Sequence, residues 1–197
     1  MYELNRKPAV PAPSPAAARC NSGAKWAMTL SHGLAPGCGA DEAWAVIGSF
    51  GGLHRWLPTV EVCDIIEGQD GIPGCVRYVA GKGRRPDGSP QRWVLEKLLD
   101  LSSDRRSFSY SILDSSYGFE EYTACFSVCA DPSSHGVLHG TSNVVTWSFE
   151  MSPTLAGSRH EVFNLLTDIF NRMMGSLEST LLGSGSGSES GSTSAQT

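Results

Sequence analysis

The sequence has no surplus of basic residues and no long apolar run. Its 197 residues include 15 Lys and Arg against 20 Asp and Glu, which gives a formal net charge of -5. Because contact with nucleic-acid phosphates requires a surplus of Lys and Arg, this charge argues against a dedicated nucleic-acid binder. No apolar run approaches the roughly 18 to 20 residues that cross a bilayer, so we expect no membrane span.

The cysteines also lack the spacing of a metal site or a disulfide framework. No C-x-x-C pair and no zinc-finger spacing occurs among Cys20, Cys38, Cys63, Cys75, Cys125 and Cys129. We therefore expect no metal site and no disulfides. The N-terminus shows no apolar stretch of the kind that forms a secretory signal. Free thiols are typical of a reducing compartment, so the sequence predicts a cytoplasmic protein.

Two segments of biased composition flank the rest of the chain. Residues 1–23 are rich in Pro, Ala and Ser, and residues 183–197 are rich in Gly and Ser. Neither composition can bury a core, so we expect both to be disordered tails. Residues 24–182 are enough for one domain with a substantial core. The sequence carries no signal for the oligomeric state.

The hydrophobic pattern predicts a meander of strands followed by a long helix. A strand is expected around residues 25–30, and a short amphipathic helix over residues 41–50. Further strands, joined by turn-rich links, are expected over residues 60–67, 74–80, 92–101, 107–113, 121–129 and 144–151. Apolar residues then recur at helical spacing from Val162 to Leu181. This order predicts an α+β fold in which a curved antiparallel sheet wraps around the C-terminal helix.

Three of the expected strands alternate cleanly enough to assign their faces. Their apolar faces carry Tyr110, Tyr122 and Trp147, while Ser, Thr and Glu occupy most of the opposite positions. A buried Tyr or Trp needs a partner for its O–H or N–H group. Two interpretations remain open. The three rings line a cavity that holds a ligand or water, or they are core aromatics bonded to nearby backbone.

Arg77 and Glu96 lie on consecutive strand segments, and the hairpin between them brings them within one or two residues of register. If both side chains point inward, each charge is costly unless it is paired. The pair is then a candidate site, with a cation to hold an oxygen and a carboxylate to move a proton. The other interpretation, a cross-strand salt bridge at the surface, is the commoner arrangement and is favoured by chemistry alone.

Several segments carry a resemblance to a known family over residues 25–175. They are Asp41–Trp44, Leu53–Arg55, Val62–Gly68, Gly74–Val79, Glu96–Leu98, Ser109–Tyr110, Glu121–Ala124 and Trp147–Phe149. In these segments the chain resembles the plant lachrymatory-factor synthase family. That family belongs to the Bet v 1/START-like superfamily, also called SRPBCC or polyketide cyclase/dehydrase proteins. The resemblance implies a helix-grip fold, in which a seven-stranded sheet holds the last helix around an internal cavity.

The resemblance also implies a reaction and a set of site residues. An arginine and a glutamate in the family's pocket are essential, and they match Arg77 and Glu96. The implied reaction is the isomerisation of 1-propenesulfenic acid to propanethial S-oxide without a cofactor. Arg77 would polarise the sulfenic oxygen, and Glu96 would relay the proton to carbon. The residues matched to substrate-binding aromatics are Tyr110, Tyr122, Trp147 and Phe170, the last standing where the family has tryptophan.

Two functions follow from these observations. The first is an enzyme, a cofactor-independent isomerase that acts on a small organosulfur substrate in the manner of a lachrymatory-factor synthase. The second is a non-catalytic carrier or receptor of the same fold for a small hydrophobic ligand, since a fold does not determine a function. Glu96→Gln separates the two, because it should abolish turnover in an enzyme but leave ligand binding intact in a carrier.

Overall fold

The computed structural model describes residues 24–130, 143–154 and 157–184. The tail predicted for residues 1–23 lies outside these ranges, as does most of the tail predicted for residues 183–197. Within the described ranges, no helix is long and apolar enough to cross a membrane.

Seven strands and three α-helices form the described structure. The elements, in chain order, are β1 (Trp26–Gly33), α1 (Ala40–Ile47), α2 (Leu53–Trp56), β2 (Val60–Glu67), β3 (Val76–Gly81), β4 (Trp93–Ser102), β5 (Ser107–Ser115), β6 (Thr123–Ala130), β7 (Asn143–Met151) and α3 (Arg159–Ser184). The strands form one antiparallel sheet in the order β1-β7-β6-β5-β4-β3-β2. The predicted α+β fold, with a long C-terminal helix after a strand meander, is confirmed.

The helical segment near the N-terminus differs most from its prediction. Helix α1 ends at Ile47, because Gly48 closes it through a backbone hydrogen bond of 2.7 Å to the Trp44 carbonyl. The chain then forms a 3-10 turn at Phe50–Gly52 and a second short helix, α2, which the hydrophobic pattern did not predict. This helix ends before Pro58, as expected because proline disfavours helical backbone at the preceding residue.

Helix α3 packs against the concave face of the sheet along one stripe. Its buried side chains recur every three or four residues and are Val162, Leu166, Phe170, Met173, Met174 and Leu177. This is the spacing that places side chains on one face of a helix. The sheet contributes the inward residues of its strands, among them Phe126, Val145, Trp147, Phe149 and Met151. The core therefore lies between the sheet and α3.

Polar contacts fix the C-terminal half of α3 to the first part of the chain. The Glu178 carboxylate accepts a hydrogen bond of 2.8 Å from the Ala35 backbone N–H and lies 3.0 Å from Nε2 of His32. Two residues earlier, the Ser176 hydroxyl donates to the Trp56 carbonyl at 2.5 Å. Helix α3 is thus held to the end of β1 and to α2, and this sets its distance from the middle of the sheet.

Candidate functional site

Arg77 and Glu96 are directly opposite each other in the β3–β4 ladder. Directly opposed residues in an antiparallel pair place their side chains on the same face of the sheet. Arg77 donates from Nε to Oε2 of Glu96 at 2.6 Å, and the two residues are only 5% and 7% exposed. The pair is therefore buried, and the interpretation as a surface salt bridge is wrong.

The 3-10 turn after α1 completes the surroundings of the Arg77 guanidinium. Arg77 donates from Nη1 to the Phe50 carbonyl oxygen, and its guanidinium carbon lies 4.0 Å from the centre of the Phe50 ring. Such a cation over an aromatic face is stabilised by the ring quadrupole. Burial by itself lowers the pKa of Arg77, but the Glu96 carboxylate, together with Cys63 and Tyr110, outweighs burial and holds this pKa above its ordinary value. Arg77 is therefore a fixed cation in a fixed orientation.

Each member of the pair keeps one polar atom unengaged. The described residues offer no hydrogen-bond partner to Oε1 of Glu96 or to Nη2 of Arg77, since their contacts use Oε2, Nε and Nη1. Neither atom is among the fully occluded, unsatisfied atoms of the described residues, so both remain accessible from the cavity. The pair is therefore able to contact a bound molecule with a cationic donor and a carboxylate acceptor side by side.

The pair faces a cavity of about 700 Å³ between the sheet and α3. The buried part of its wall carries Arg77 and Glu96 together with Tyr110, Tyr122 and Trp147. The exposed part of its wall is formed by Pro58, Thr59, Lys82, Gly83, Gln91, Arg92 and Arg172, and we call this part the mouth. A cavity that is mostly apolar and has a few converging polar groups is the usual form of a small-molecule site.

Two of the predicted aromatic residues present polar atoms without partners. Tyr122 Oη and Trp147 Nε1 are buried and make no hydrogen bond to any described residue. Leaving a buried donor unsatisfied costs about 1–3 kcal/mol, so such atoms normally have water or a ligand beside them. Because the nearby backbone does not satisfy them, the interpretation as backbone-bonded core aromatics is not supported. Both side chains lie in the wall of the cavity.

The tyrosine hydroxyls on this wall remain protonated donors at neutral pH. Burial raises the pKa of Tyr110, and the Glu96 carboxylate raises it further, while Arg77 opposes the shift. Burial likewise raises the pKa of Tyr122 well above its ordinary value, with Tyr110 adding to the effect. Tyr122 and Trp147 lie close enough to the Tyr110 hydroxyl to affect its pKa. Neither of them forms a hydrogen bond of normal geometry with it.

Tyr122 is held in place from both sides of its ring. Its carbonyl accepts a backbone hydrogen bond of 3.1 Å from Ile112, just before β6 begins. Its ring stacks on Phe149 at 5.7 Å and on Phe119 at 5.6 Å between ring centres. These contacts fix the direction of its hydroxyl, so a donor is already oriented before a ligand binds.

Phe170 is placed differently from the other predicted site residues. It is buried on α3 but is not part of the cavity wall, because it packs behind Trp147 at 6.1 Å and beside Phe126 at 6.5 Å between ring centres. In this position it supports the Trp147 ring and does not reach the cavity. The α3 side of the wall is formed by Leu165, Leu166, Ile169, Arg172 and Met173.

Several aromatic residues in or beside the cavity wall were not predicted as part of the site. Phe50 was expected only as part of a helix, and its backbone contact with Arg77 has no sequence signal. Tyr117 and Phe119 lie in the link between β5 and β6, where the alternating pattern stops. Their rings stack on each other at 5.2 Å between centres, and both line the cavity. The sequence signal for these two wall residues was the presence of two aromatic residues within three positions of a link between strands.

An antiparallel sheet wrapped around a long C-terminal helix, with a cavity between them, defines the class of Bet v 1-like helix-grip proteins. Residues 36–182 match the family described as polyketide cyclase / dehydrase and lipid transport, and the chain belongs to this family. Among the residues that the structure describes, no group of three His, Cys, Asp or Glu side chains is arranged to hold a metal ion.

Solved structures of the same fold cover most of the chain. The protein XoxI from Bacillus cereus is 24% identical, with a TM-score of 0.61 over 79% of this chain and 95% of that chain. A protein from Bacillus thuringiensis is also 24% identical, with a TM-score of 0.61 over 80% and 99%. Ara h 8.0201 is 15% identical, with a TM-score of 0.61 over 81% and 99%. At these identities the likeness shows the fold.

Proposed function

We propose that this protein is a cofactor-independent isomerase that moves a proton within a small organosulfur substrate, in the manner of the lachrymatory-factor synthases that it resembles. One observation carries the proposal, namely the buried Arg77–Glu96 pair that faces the cavity with an unengaged atom on each side chain. A buried ion pair is seldom a gain in stability over apolar packing, so its presence beside a cavity favours a chemical role.

The proposed reaction converts 1-propenesulfenic acid to propanethial S-oxide. The Glu96 carboxylate accepts the proton of the S–O–H group, and the same proton, or one exchanged at Glu96, is delivered to the alkene carbon remote from sulfur. The C=C electron pair forms the new C–H bond, a lone pair of sulfur forms the C=S bond, and the negative charge stays on oxygen beside the positively charged sulfur of the S-oxide. No atom or electron is gained or lost, so the reaction requires no cofactor.

The other polar groups of the wall suit the charge that develops during this reaction. Negative charge accumulates on the sulfenic oxygen as its proton leaves, and Arg77 provides a cation whose position is fixed by Phe50 and Glu96. Tyr122 Oη and Trp147 Nε1 add neutral donors on the same cavity wall. Donors that are oriented before the reaction stabilise such charge more effectively than water does.

The direct test offers freshly generated 1-propenesulfenic acid to the protein and quantifies propanethial S-oxide. We expect Glu96→Gln to reduce the rate by about 10²–10⁴-fold, the usual contribution of a positioned acid–base group. Glu67→Gln is the matched control. Glu67 is an exposed carboxylate on β2, the strand next to β3, and is outside the cavity wall. Full turnover by Glu96→Gln would refute the proposed role of Glu96.

A carrier for a hydrophobic ligand is the second candidate, and the size of the cavity favours it. A volume of about 700 Å³ lies within the range of sites for drug-sized ligands. It is far more than the few heavy atoms of a propenyl sulfenic acid occupy. In a carrier, wild type and Glu96→Gln would both lack turnover and would bind the same apolar ligand. The absence of product from the wild-type protein would therefore favour the carrier.

A further inference from the structure

The charged residues of the cavity wall are strongly unequal in sign. Four cations line the cavity, Arg77, Lys82, Arg92 and Arg172, against the single carboxylate of Glu96. Because Arg77 is paired with Glu96, the remaining three cations have no counter-charge within the cavity wall. This excess of positive charge occurs in a chain whose formal net charge is -5, so it is a local feature of the cavity.

The three unpaired cations all belong to the mouth. Lys82 and Arg92 lie at the first and last positions of the loop that joins β3 to β4. Arg172 of α3 lines the same part of the cavity. All three are exposed, and none forms a salt bridge with a described acidic residue. By contrast, Arg84 in the same hairpin is bound to Glu61 on the outside of the mouth. We call Lys82, Arg92 and Arg172 the cationic rim.

Arg92 is already oriented by an aromatic contact. Its guanidinium carbon lies 4.8 Å from the centre of the Tyr117 ring, and Tyr117 is itself part of the cavity wall. A guanidinium held over an aromatic face keeps its N–H donors directed outward from the contact. The rim therefore includes one cation that an aromatic contact orients and two cations, Lys82 and Arg172, for which the described residues provide no such contact.

The wall between the rim and the buried pair is apolar. Val79 on β3, Val94 on β4 and Ile112 on β5 line this part of the cavity, with Leu165 and Ile169 across from them on α3. Arg77 and Lys82 are five residues apart along β3, which corresponds to about 16 Å at the rise of a β-strand. The cavity thus has a polar inner end, an apolar middle section and a cationic mouth.

From this arrangement we propose that the cavity binds an anionic amphiphile, with its apolar body inside and its carboxylate or phosphate group at the cationic rim. This binding site goes beyond the isomerisation proposed above and does not depend on it. The apolar section supplies the affinity for the body of the ligand. The rim supplies the preference for an anion and the direction in which the ligand lies.

The test measures binding of three probes by calorimetry, dodecanoate, dodecyl phosphate and dodecanol. They share one apolar chain and differ in the head group, so the two anions distinguish a carboxylate from a phosphate ligand. We expect at least one anion to bind about tenfold more tightly than dodecanol, and this difference to shrink as salt rises from about 10 mM to about 1 M. Equal affinity for dodecanol and for both anions would overturn the proposal.

The rim variant is Lys82→Gln/Arg172→Gln, which leaves Arg92 in place because Arg92 also contacts Tyr117. We expect it to bind the preferred anion about tenfold more weakly and dodecanol unchanged. The control Lys97→Gln/Arg105→Gln removes the same number of exposed cations away from the cavity wall and should bind like wild type. Undiminished anion binding by the rim variant would also overturn the proposal. Because no turnover is measured, failure of the isomerase proposal does not affect this result.

Discussion

The two halves of the sheet's concave face differ in how α3 covers them. In the closed half, formed by β1 and by β7 apart from Trp147, Phe149 meets Phe163 of α3 edge to face at 5.8 Å, and Trp26 does the same at 6.5 Å. In the open half, formed by β3, β4 and β5, the cavity separates the strands from α3. The buried charges and the side chains that carry unpartnered donors lie in the wall of this cavity.

The gap between α3 and the open half of the sheet explains why a charged pair is tolerated inside a small domain. Arg77 and Glu96 face the cavity. In the closed half, the buried positions of β7 are instead apolar, namely Val145, Phe149 and Met151. Burying a polar group costs the least free energy where the group has a hydrogen-bond partner or a water molecule beside it. The proposed site thus lies where helix and sheet separate, and the aromatic packing lies where they are in contact.

The largest expected effect comes from truncating an aromatic residue in the closed half. Phe149→Ala should lower the free energy of unfolding by about 4 kcal/mol, because it removes a fully packed ring and leaves a cavity. Ile112→Ala in the open half should cost less than about 2 kcal/mol, since its side chain already borders a cavity. Urea unfolding of both variants measures the difference. Equal losses would remove the distinction between the halves.

The next effect concerns the buried pair itself. Arg77→Met should destabilise the protein by about 3 kcal/mol, because it leaves the Glu96 carboxylate buried without its partner. The double variant Arg77→Met/Glu96→Leu should recover most of that loss, since it replaces both charges with apolar groups. Urea unfolding of the single and double variants gives both values. A double variant as unstable as Arg77→Met would contradict our assignment of the cost to the unpaired carboxylate.

A smaller, pH-dependent effect is expected where α3 is anchored to β1. Burial alone would raise the pKa of Glu178, but hydrogen bonds from His32 and the Ala35 N–H lower it below its ordinary value of 4.5. A lowered pKa in the folded state gives stability that is present above 4.5 and is lost as the pH falls through the folded pKa. Glu178→Gln should therefore cost about 1 kcal/mol at neutral pH and progressively less in acid.

Unfolding curves of wild type and Glu178→Gln at a series of pH values test this prediction. The matched control is Glu67→Gln, which changes an exposed carboxylate of β2 that makes no hydrogen bond or salt bridge to a described residue. A difference between wild type and Glu178→Gln that grows as the pH falls would show that the sign is wrong.

The smallest expected effect on stability is that of Tyr122→Phe. The variant keeps the ring and removes only a buried hydroxyl that has no partner among the described residues. Stability should therefore change by less than about 0.5 kcal/mol or rise slightly, because an unsatisfied group is removed. Thermal unfolding measures this change. A large loss of stability would show that the hydroxyl has a structural partner after all.

The fold was predictable because the strands of the meander alternate so regularly. The apolar positions of β5, β6 and β7 identified the inward side chains, including Tyr110 and Trp147, and the helical period identified the buried face of α3. Both periods are local properties of the sequence. The short helix α2 escaped prediction, because four residues after a glycine pair carry no measurable period.

The site was only partly predictable. The hairpin placed Arg77 and Glu96 near each other, but their register and inward direction depend on tertiary contacts such as that of Arg77 with the Phe50 carbonyl. Phe170, on the buried face of α3, was expected at the ligand because it stands where the family that the chain resembles has a pocket tryptophan. Being buried on that face does not distinguish a residue that lines the cavity from one that packs behind Trp147. The cationic rim has no sequence signal, since its residues come from separate segments.

The assignment of the cavity as the ligand site is tested most simply by NMR. The indole N–H resonances are followed while dipropyl sulfoxide, a stable organosulfur acceptor, is added. The Trp147 resonance is assigned as the signal that disappears in Trp147→Phe. We predict that it shifts strongly, because its N–H is unpartnered and lies on the cavity wall. The resonances of Trp26 and Trp44, which are outside that wall, should stay fixed. A Trp147 resonance that does not move at saturating probe would contradict the assignment of this cavity as the ligand site.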